Sequence, residues 1–201
     1  MKIKRLILGT GNPAKVDEWT MLLKEEIPGL EVKGAGDLPE AEETGETFEE
    51  NAQLKAVHYA KLTGEYVLAD DGGFEIDAFD GAPGVKSKRI LPGEGEATDE
   101  EQIAYVIDKM KGLSREKRAT RFTSAVAISN ADGRIIFKDI ESLEGYVPEE
   151  PGKTLIKGYS YRTILYLPEL GKTYAELTGE EHHEYSHKRK IVKRLAQFLQ
   201  I

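Results

Sequence analysis

The stretch Val67-Leu-Ala-Asp-Asp-Gly-Gly73 narrows the choice of fold more than any other in the chain. A short apolar run of strand-forming residues stops on two adjacent carboxylates and then two glycines. Charges at the exit of a buried strand sit where a core meets solvent, and α/β proteins build their sites there. Adjacent aspartates repel each other unless a proton or cation intervenes, so Asp70 and Asp71 invite a hard metal ion. Gly72 and Gly73 suit a tight turn and the close approach of a ligand. Taken alone, the same residues suit an ordinary polar turn after a strand, and it is the rest of the chain that decides between the two.

Arg5-Leu-Ile-Leu8 reads as a buried strand leading into Gly9-Thr-Gly-Asn-Pro-Ala-Lys15. Asn12 is a good N-cap and Pro13 a good first helical residue. The helix they open carries Val16, Trp19, Leu23 and Ile27 on one face and stops at Pro28-Gly29. Strand, glycine loop and helix N-terminus together present unpaired N–H groups to a phosphate, and Lys15 adds charge. Gly9-x-Gly11-x-x-Ala14 also fits the dinucleotide fingerprint, with Glu31 at the approximate spacing of a ribose-binding acid. A βα turn that binds nothing is the third possibility.

Thr47-x-x-Glu50 is a capping box whose helix runs through Ala52, Lys55, Ala56 and Ala60 to Gly64. Phe74-Glu-Ile-Asp-Ala then reads as a return strand after the two glycines. Thr98-x-x-Glu101 opens another helix, with Ile103, Val106, Ile107 and Met110 on one face. Phe122 to Ile128 and Arg134 to Phe137, joined by Asn130-Ala-Asp-Gly133, predict a hairpin. Thr163 to Leu167 reads as a further strand, and Ser186 as the cap of a last helix with Val192, Leu195 and Leu199 inward. The expected fold is α/β, a mixed sheet flanked by helices in one continuous domain over 1–201, with two lobes around a central cleft.

At 39% hydrophobic and 32% charged, the chain has no apolar run long enough to cross a membrane, and its first residues show no secretory h-region. The lack of cysteine fits a reducing, cytoplasmic setting. A net charge of −8 argues against nucleic acid or an anionic membrane as partner. A phosphate ligand must then be held locally, by residues such as Lys15, Lys55, Lys86, Lys88, Arg89, His187 and Lys188. Glu42, Asp70 and Asp71 are candidate ligands for Mg²⁺, which takes one or two carboxylates plus waters and substrate phosphates. No triad order, HExxH or Walker A pattern is present. Metal-assisted attack of water on a polyphosphate needs only acids for the metal, cations for phosphate and aromatics for a base.

From about Leu6 to Leu199 the chain resembles the inosine triphosphate pyrophosphatases, house-cleaning enzymes for non-canonical purine nucleotides. The resemblance rests on Thr10-Gly-Asn-Pro-Ala-Lys15, on Glu42-Glu-Thr-Gly-Glu-Thr-Phe-Glu-Glu-Asn-Ala52 with Leu54-Lys55, and on Ala69-Asp-Asp-Gly-Gly73. Gly81-Ala-Pro-Gly-Val85, Gly171-Lys-Thr-Tyr-Ala-Glu-Leu177 and Ser186-His187 follow in family order. It implies an elongated mixed-sheet fold, a homodimer, and Mg²⁺-dependent hydrolysis of a nucleoside triphosphate to monophosphate and pyrophosphate. By position, Thr10, Gly11, Asn12 and Lys15 would hold phosphates with help from Lys55. Glu42 and Asp71 would bind Mg²⁺, Asp71 also taking the water proton, with Glu43 and Asp70 as the neighbouring alternatives.

Four departures accompany the match. The family's Asp-Asp-Ser-Gly is Asp70-Asp-Gly72-Gly here, losing a hydroxyl. Phe-Gly-Tyr-Asp-Pro, the base-binding motif, reads Tyr159-Ser160-Tyr161-Arg162-Thr163. Ser-His-Arg reads Ser186-His187-Lys188, and the lysine five residues before that histidine is His182. The resemblance thus leaves the metal half of the site intact and the base half rewritten. Three functions are carried forward: the pyrophosphatase, a nucleotide-binding relative with altered specificity or little turnover, and a dinucleotide-dependent oxidoreductase.

Overall fold

A computed structural model describes residues 3–86, 90–91 and 97–199. Its strands are β1 (Arg5–Leu8), β2 (Glu31–Gly34), β3 (Val67–Ile76), β4 (Ala119–Ser129), β5 (Ile135–Tyr146), β6 (Tyr166–Leu167) and β7 (Lys172–Thr173). They form a seven-stranded sheet in the order β2-β1-β3-β4-β5-β6-β7. β1 pairs in parallel with β2 and β3, while β6 is antiparallel to β5 and β7. The helices are α1 (Pro13–Glu26), α2 (Phe48–Thr63), α3 (Asp99–Lys109), α4 (Gly179–Tyr185) and α5 (His187–Phe198). The architecture is therefore the expected mixed α/β sheet, and no helix is long and apolar enough to cross a membrane among the described residues.

The helix starts follow the local chemistry. Asn12 caps α1, its Oδ1 accepting from the Ala14 N–H at 3.0 Å, and Thr47 and Thr98 open α2 and α3 with reciprocal capping boxes. A further capping box, Thr178 with Glu181, starts α4, a helix that the sequence reading passed over.

The described residues group into two compact units, taken in turn. The first comprises the described parts of 1–72, 124–141 and 187–201. Strand side chains alternate between faces, so each strand serves two layers here. Leu6, Leu8, Leu68, Val126 and Ile128 pack with Trp19 and Leu23 of α1 and Ile191, Val192 and Leu195 of α5. The opposite face offers Ala69, Ala125 and Ala127 to Ala52 and Ala56 of α2, and five small side chains let that helix lie close to the sheet. Gly9, at the end of β1, is held in the same layer. A Cβ there would come within 2.9 Å of Tyr59 and Val67.

The second unit comprises the described parts of 73–123 and 142–186. Its core joins Phe74, Ile76, Ile103, Val106, Met110, Val147, Ile164 and Leu165. Arg118, although 5% exposed, meets no carboxylate among the described residues. Its guanidinium donates to the backbone carbonyls of Val147 at 2.6 Å, Met110 at 3.1 Å and Pro148, tying the end of α3 to the chain after β5.

Two expectations for strands are corrected. Asp70-Asp-Gly-Gly73 is not a strand exit and turn, because β3 continues through it to Ile76. Of Thr163 to Leu167 only Tyr166–Leu167 is strand, Thr163 being the last residue of a 3-10 turn (Ser160–Thr163). The hairpin between β4 and β5 is as read, with the Gly133 N–H donating to Asn130 at 2.9 Å across its turn. Lys86 closes a short 3-10 turn, while Lys88 and Arg89 of the expected basic cluster lie outside the described residues.

Candidate active site

In the first unit the acidic pair of β3 is organised by the alternation of the strand. Asp70 follows Leu68 on the face of α1 and α5, and Asp71 follows Ala69 on the face of α2. Each carboxylate is buried, at 3% and 8% exposure, and each has its own lysine. Lys15 Nζ of α1 lies 2.9 Å from Asp70 Oδ2, and Lys55 Nζ of α2 lies 3.0 Å from Asp71 Oδ1. Neighbouring carboxylates are thus separated by the strand itself, and what relieves each charge is an ammonium.

Electrostatics favour the ionised Asp70. Burial alone pushes its carboxyl up, but Lys15, then the more distant Lys188 and Lys55, override this and hold it down at about 2. Lys15 responds in kind: burial opposes its charge, and Asp70 raises its pKa regardless.

Lys55 makes a second ion pair, with Glu43 Oε1 at 3.1 Å. The sequence-derived metal ligand Glu42 is exposed and is not at this contact; the acid brought to Lys55 and Asp71 is its neighbour Glu43. Among the described residues no three histidine, aspartate or glutamate side chains gather into a closed metal cage. Asp71 and Glu43 nevertheless form an all-oxygen donor pair around one cationic group. That is the donor chemistry Mg²⁺ takes when waters and phosphate oxygens complete its shell.

The loop before α1 is braced from within. Thr10 Oγ1 accepts from the Asn12 N–H at 3.1 Å and Asn12 caps the helix, so both hydroxyl and amide shape the loop. Gly11 is exposed, and Glu40 Oε1 would stand 3.1 Å from a Cβ placed on it. Glu31, the acid of the dinucleotide reading, is bound to Arg5 at 2.9 Å and Lys33 at 3.0 Å, a surface cluster on β1 and β2.

On α5, His187 is buried with Nε2 at 2.9 Å from Ser124 Oγ of β4. Lys188 pairs with Glu18 and lies 5.4 Å from the centroid of the Trp19 ring. Both residues are thus built into the layer above Asp70. Gly72, inside β3, is half-buried.

The base-recognition candidates lie in the second unit. Tyr159 is 39% exposed, and the Arg162 guanidinium sits 4.2 Å from its ring centroid and 5.3 Å from that of Tyr174. His182 lies against the Tyr174 ring at 4.4 Å. Ser160 is buried and donates to Gln102 Oε1. Tyr161 departs from its expected role as an open stacking face. It is core, its ring parallel to Phe74 at 4.8 Å, and burial pushes its phenol up.

Sequence reasoning held Glu43 only as the alternative to Glu42, and missed the Ser124 partner of His187 and the Glu18 partner of Lys188. Only the first had a local signal, since Glu43 adjoins the acid chosen and any loop shift of one residue exchanges them.

Residues 6–198 match the model of the Ham1 family. A dITP/XTP pyrophosphatase of Bacillus subtilis is 39% identical, over 98% of each chain. One from Thermus thermophilus is 37% identical, over 96% of this chain and 90% of its own. Among solved structures, the Staphylococcus aureus Ham1 protein is similar with a TM-score of 0.82 at 30% identity, covering 98% of both chains. A HAM1 protein from Coxiella burnetii gives 0.82 at 32% identity, covering 100% of this chain and 99% of that one.

Proposed function

The chain belongs to the Ham1 family, and on that premise we propose that it is a pyrophosphatase of non-canonical purine nucleoside triphosphates. The reaction is hydrolysis to the monophosphate and pyrophosphate, carried out by 1–201 as one catalytic domain, in a homodimer and in the cytoplasm. The observation that carries the reading is the pairing of two adjacent buried aspartates with two different lysines, Lys15 and Lys55, next to a braced helix N-terminus.

In this reading the N–H groups at the start of α1 and the ammonium of Lys15 hold the polyphosphate. Lys55 engages Asp71 Oδ1, which fixes the carboxylate and leaves Oδ2 to accept the proton of the attacking water. Asp70 keeps Lys15 charged and in place. Asp71 and Glu43 are the residues that would hold Mg²⁺, which when bound supplies positive charge to the phosphate oxygens and lowers the pKa of water. Tyr159 and Arg162 face the base, the ring by stacking and the guanidinium by donation.

The departures at Gly72, Arg162, His182 and Lys188 favour a second reading, a relative that binds nucleotide and turns it over poorly. Pyrophosphate release, measured with Mg²⁺ across dITP, XTP, ITP and the four common triphosphates, separates the two. Turnover of the deaminated purines well above the common ones supports the first reading. Binding without release supports the second, and release only from common nucleotides defeats both.

A further inference from the structure

Glu43 is the weakly anchored member of the acidic pair, and its position depends on something other than its own side chain. That side chain is 47% exposed, so it is free to leave Lys55 unless its backbone is held. The backbone is held two residues later, where the Gly45 N–H donates to Asn51 Oδ1 at 2.8 Å. Asn51 is 2% exposed and belongs to α2, four residues before Lys55 and therefore on the same helix face. The approach is close: a Cβ on Gly45 would lie 2.7 Å from Asn51 Oδ1 and 2.7 Å from Glu50 Cβ. Glu50 secures the following residues, its Oε2 accepting from Glu46 N–H at 2.7 Å and Thr47 N–H at 3.3 Å.

These contacts divide the labour. Glu50 and Thr47 serve the helix start, as any capping box does. The Asn51–Gly45 bond adds nothing to the cap and instead fixes the turn that carries Glu43 back over Lys55. We propose that Asn51 is a positioning residue, which through Gly45 holds Glu43 beside Asp71 and so sets the affinity of that carboxylate pair for a divalent cation. The inference rests on the proposed function and assigns to it a residue that touches neither nucleotide nor metal.

Two variants disturb the same contact from opposite sides. Asn51→Leu keeps the volume and removes the acceptor, while Gly45→Ala keeps the acceptor and crowds the approach. Gln53→Ala, which removes a bond from Gln53 to the Glu49 carbonyl within α2, is the control for general damage to the helix. Mn²⁺ binding to the nucleotide-free protein is measured by calorimetry, alongside the Mg²⁺ activation curve and the melting temperature. Loss of a residue that orients a metal ligand weakens metal affinity by roughly 10–100-fold. The expected result is such a rise in Kd and in the Mg²⁺ concentration for half-activation. It appears in both variants, is not additive in the double variant, and leaves kcat at saturating metal within about threefold. Gln53→Ala leaves metal affinity alone. A wild type that depends on divalent cation, with variants that melt earlier but bind it unchanged, overturns the positioning role and spares the functional reading. A wild type indifferent to divalent cation overturns both.

Discussion

Asp70 and Asp71 are adjacent in the chain, yet their carboxylates are neutralised from opposite sides of β3, by Lys15 at 2.9 Å and Lys55 at 3.0 Å. Two buried acids in succession are tolerated because a strand turns its side chains alternately up and down. Each faces a helix that delivers one ammonium. The price of burial is thereby met on both faces, and Lys15 stands in the first turn of the helix that follows the loop proposed to take the phosphates.

The first prediction concerns Asp71→Asn. The substitution removes the proton acceptor and should reduce pyrophosphate release by roughly 10²–10⁴-fold. It should also destabilise the protein, since Lys55, with a side chain 9% exposed, loses its buried partner. Breaking a buried pair from one side costs about 3–5 kcal/mol, and Glu43 should reduce that toward the lower end. Steady-state rates and urea unfolding measure the two effects. Near-normal activity would remove Asp71 from the reaction, and a raised melting temperature would contradict the burial argument.

The second prediction is an acid limb of stability. The Asp70 carboxyl, about 3.9 in an unfolded chain, is held at about 2 in the folded protein by Lys15 against the cost of burial. A depressed folded value means stability that is fully present above pH ~4 and is lost as pH falls toward 2, about 2–3 kcal/mol in all. Lys15 has the opposite sign. Its raised value contributes stability below the ordinary lysine range that is lost only as pH rises through the folded value. Urea unfolding from pH 2 to 6 in metal-free buffer should therefore show a slope that Lys15→Met flattens. Parallel profiles for the two proteins would mean that this pair does not control acid stability.

Much of the fold was legible because its signals are local. Asn12, Thr47 and Thr98 announce their helices, and Val192, Leu195 and Leu199 mark the buried stripe of α5. The aspartates were misplaced for a reason equally physical. Asp and Gly favour turns when considered alone, and only tertiary partners, Lys15 and Lys55, make an extended and buried conformation tolerable. The same holds for β5, read only to Phe137. Its continuation carries Asp139 and Glu141, which Arg194 of α5 answers at 2.6 and 2.8 Å. Partners more than fifty residues away leave no trace in a local pattern. Tyr161 shows the limit at the site: a motif places it beside the base candidates, and packing against Phe74 makes it core.

Arg118 supplies the third prediction. Its guanidinium donates to three backbone carbonyls and, among the described residues, meets no counter-charge. Arg118→Leu removes a donor from each. The Met110 carbonyl keeps the Leu113 N–H at 3.2 Å, so the loss falls on the Val147 and Pro148 carbonyls, at about 1–3 kcal/mol each where no water replaces the guanidinium. Arg118→Lys should recover only part of this, because one ammonium cannot reproduce the planar fork. Chemical unfolding should rank wild type above Lys and Lys above Leu. Equal stability for Lys and wild type would show that charge, not fork geometry, is what matters at this position.

The last prediction is about the base. The Arg162 guanidinium lies between Tyr159 and Tyr174, held by stacking, and among the described residues its N–H groups have no protein acceptor. A planar, half-buried donor is prepared for an acceptor that the described residues do not supply. Xanthine carries a carbonyl at the purine C2 position where hypoxanthine has only C–H, so Arg162 should favour XTP over ITP. A hydrogen bond to a charged donor is worth about 1.5–3 kcal/mol, or roughly 10–150-fold in kcat/KM. Arg162→Asp sets an acceptor against the C2 carbonyl that only xanthine carries, and should turn the preference toward ITP. Tyr159 remains as the stacking face, so overall nucleotide binding should survive the change, as read by titration with a non-hydrolysable analogue. A wild type that prefers ITP strongly, and keeps that preference in Arg162→Asp, would show that the guanidinium does not read the base.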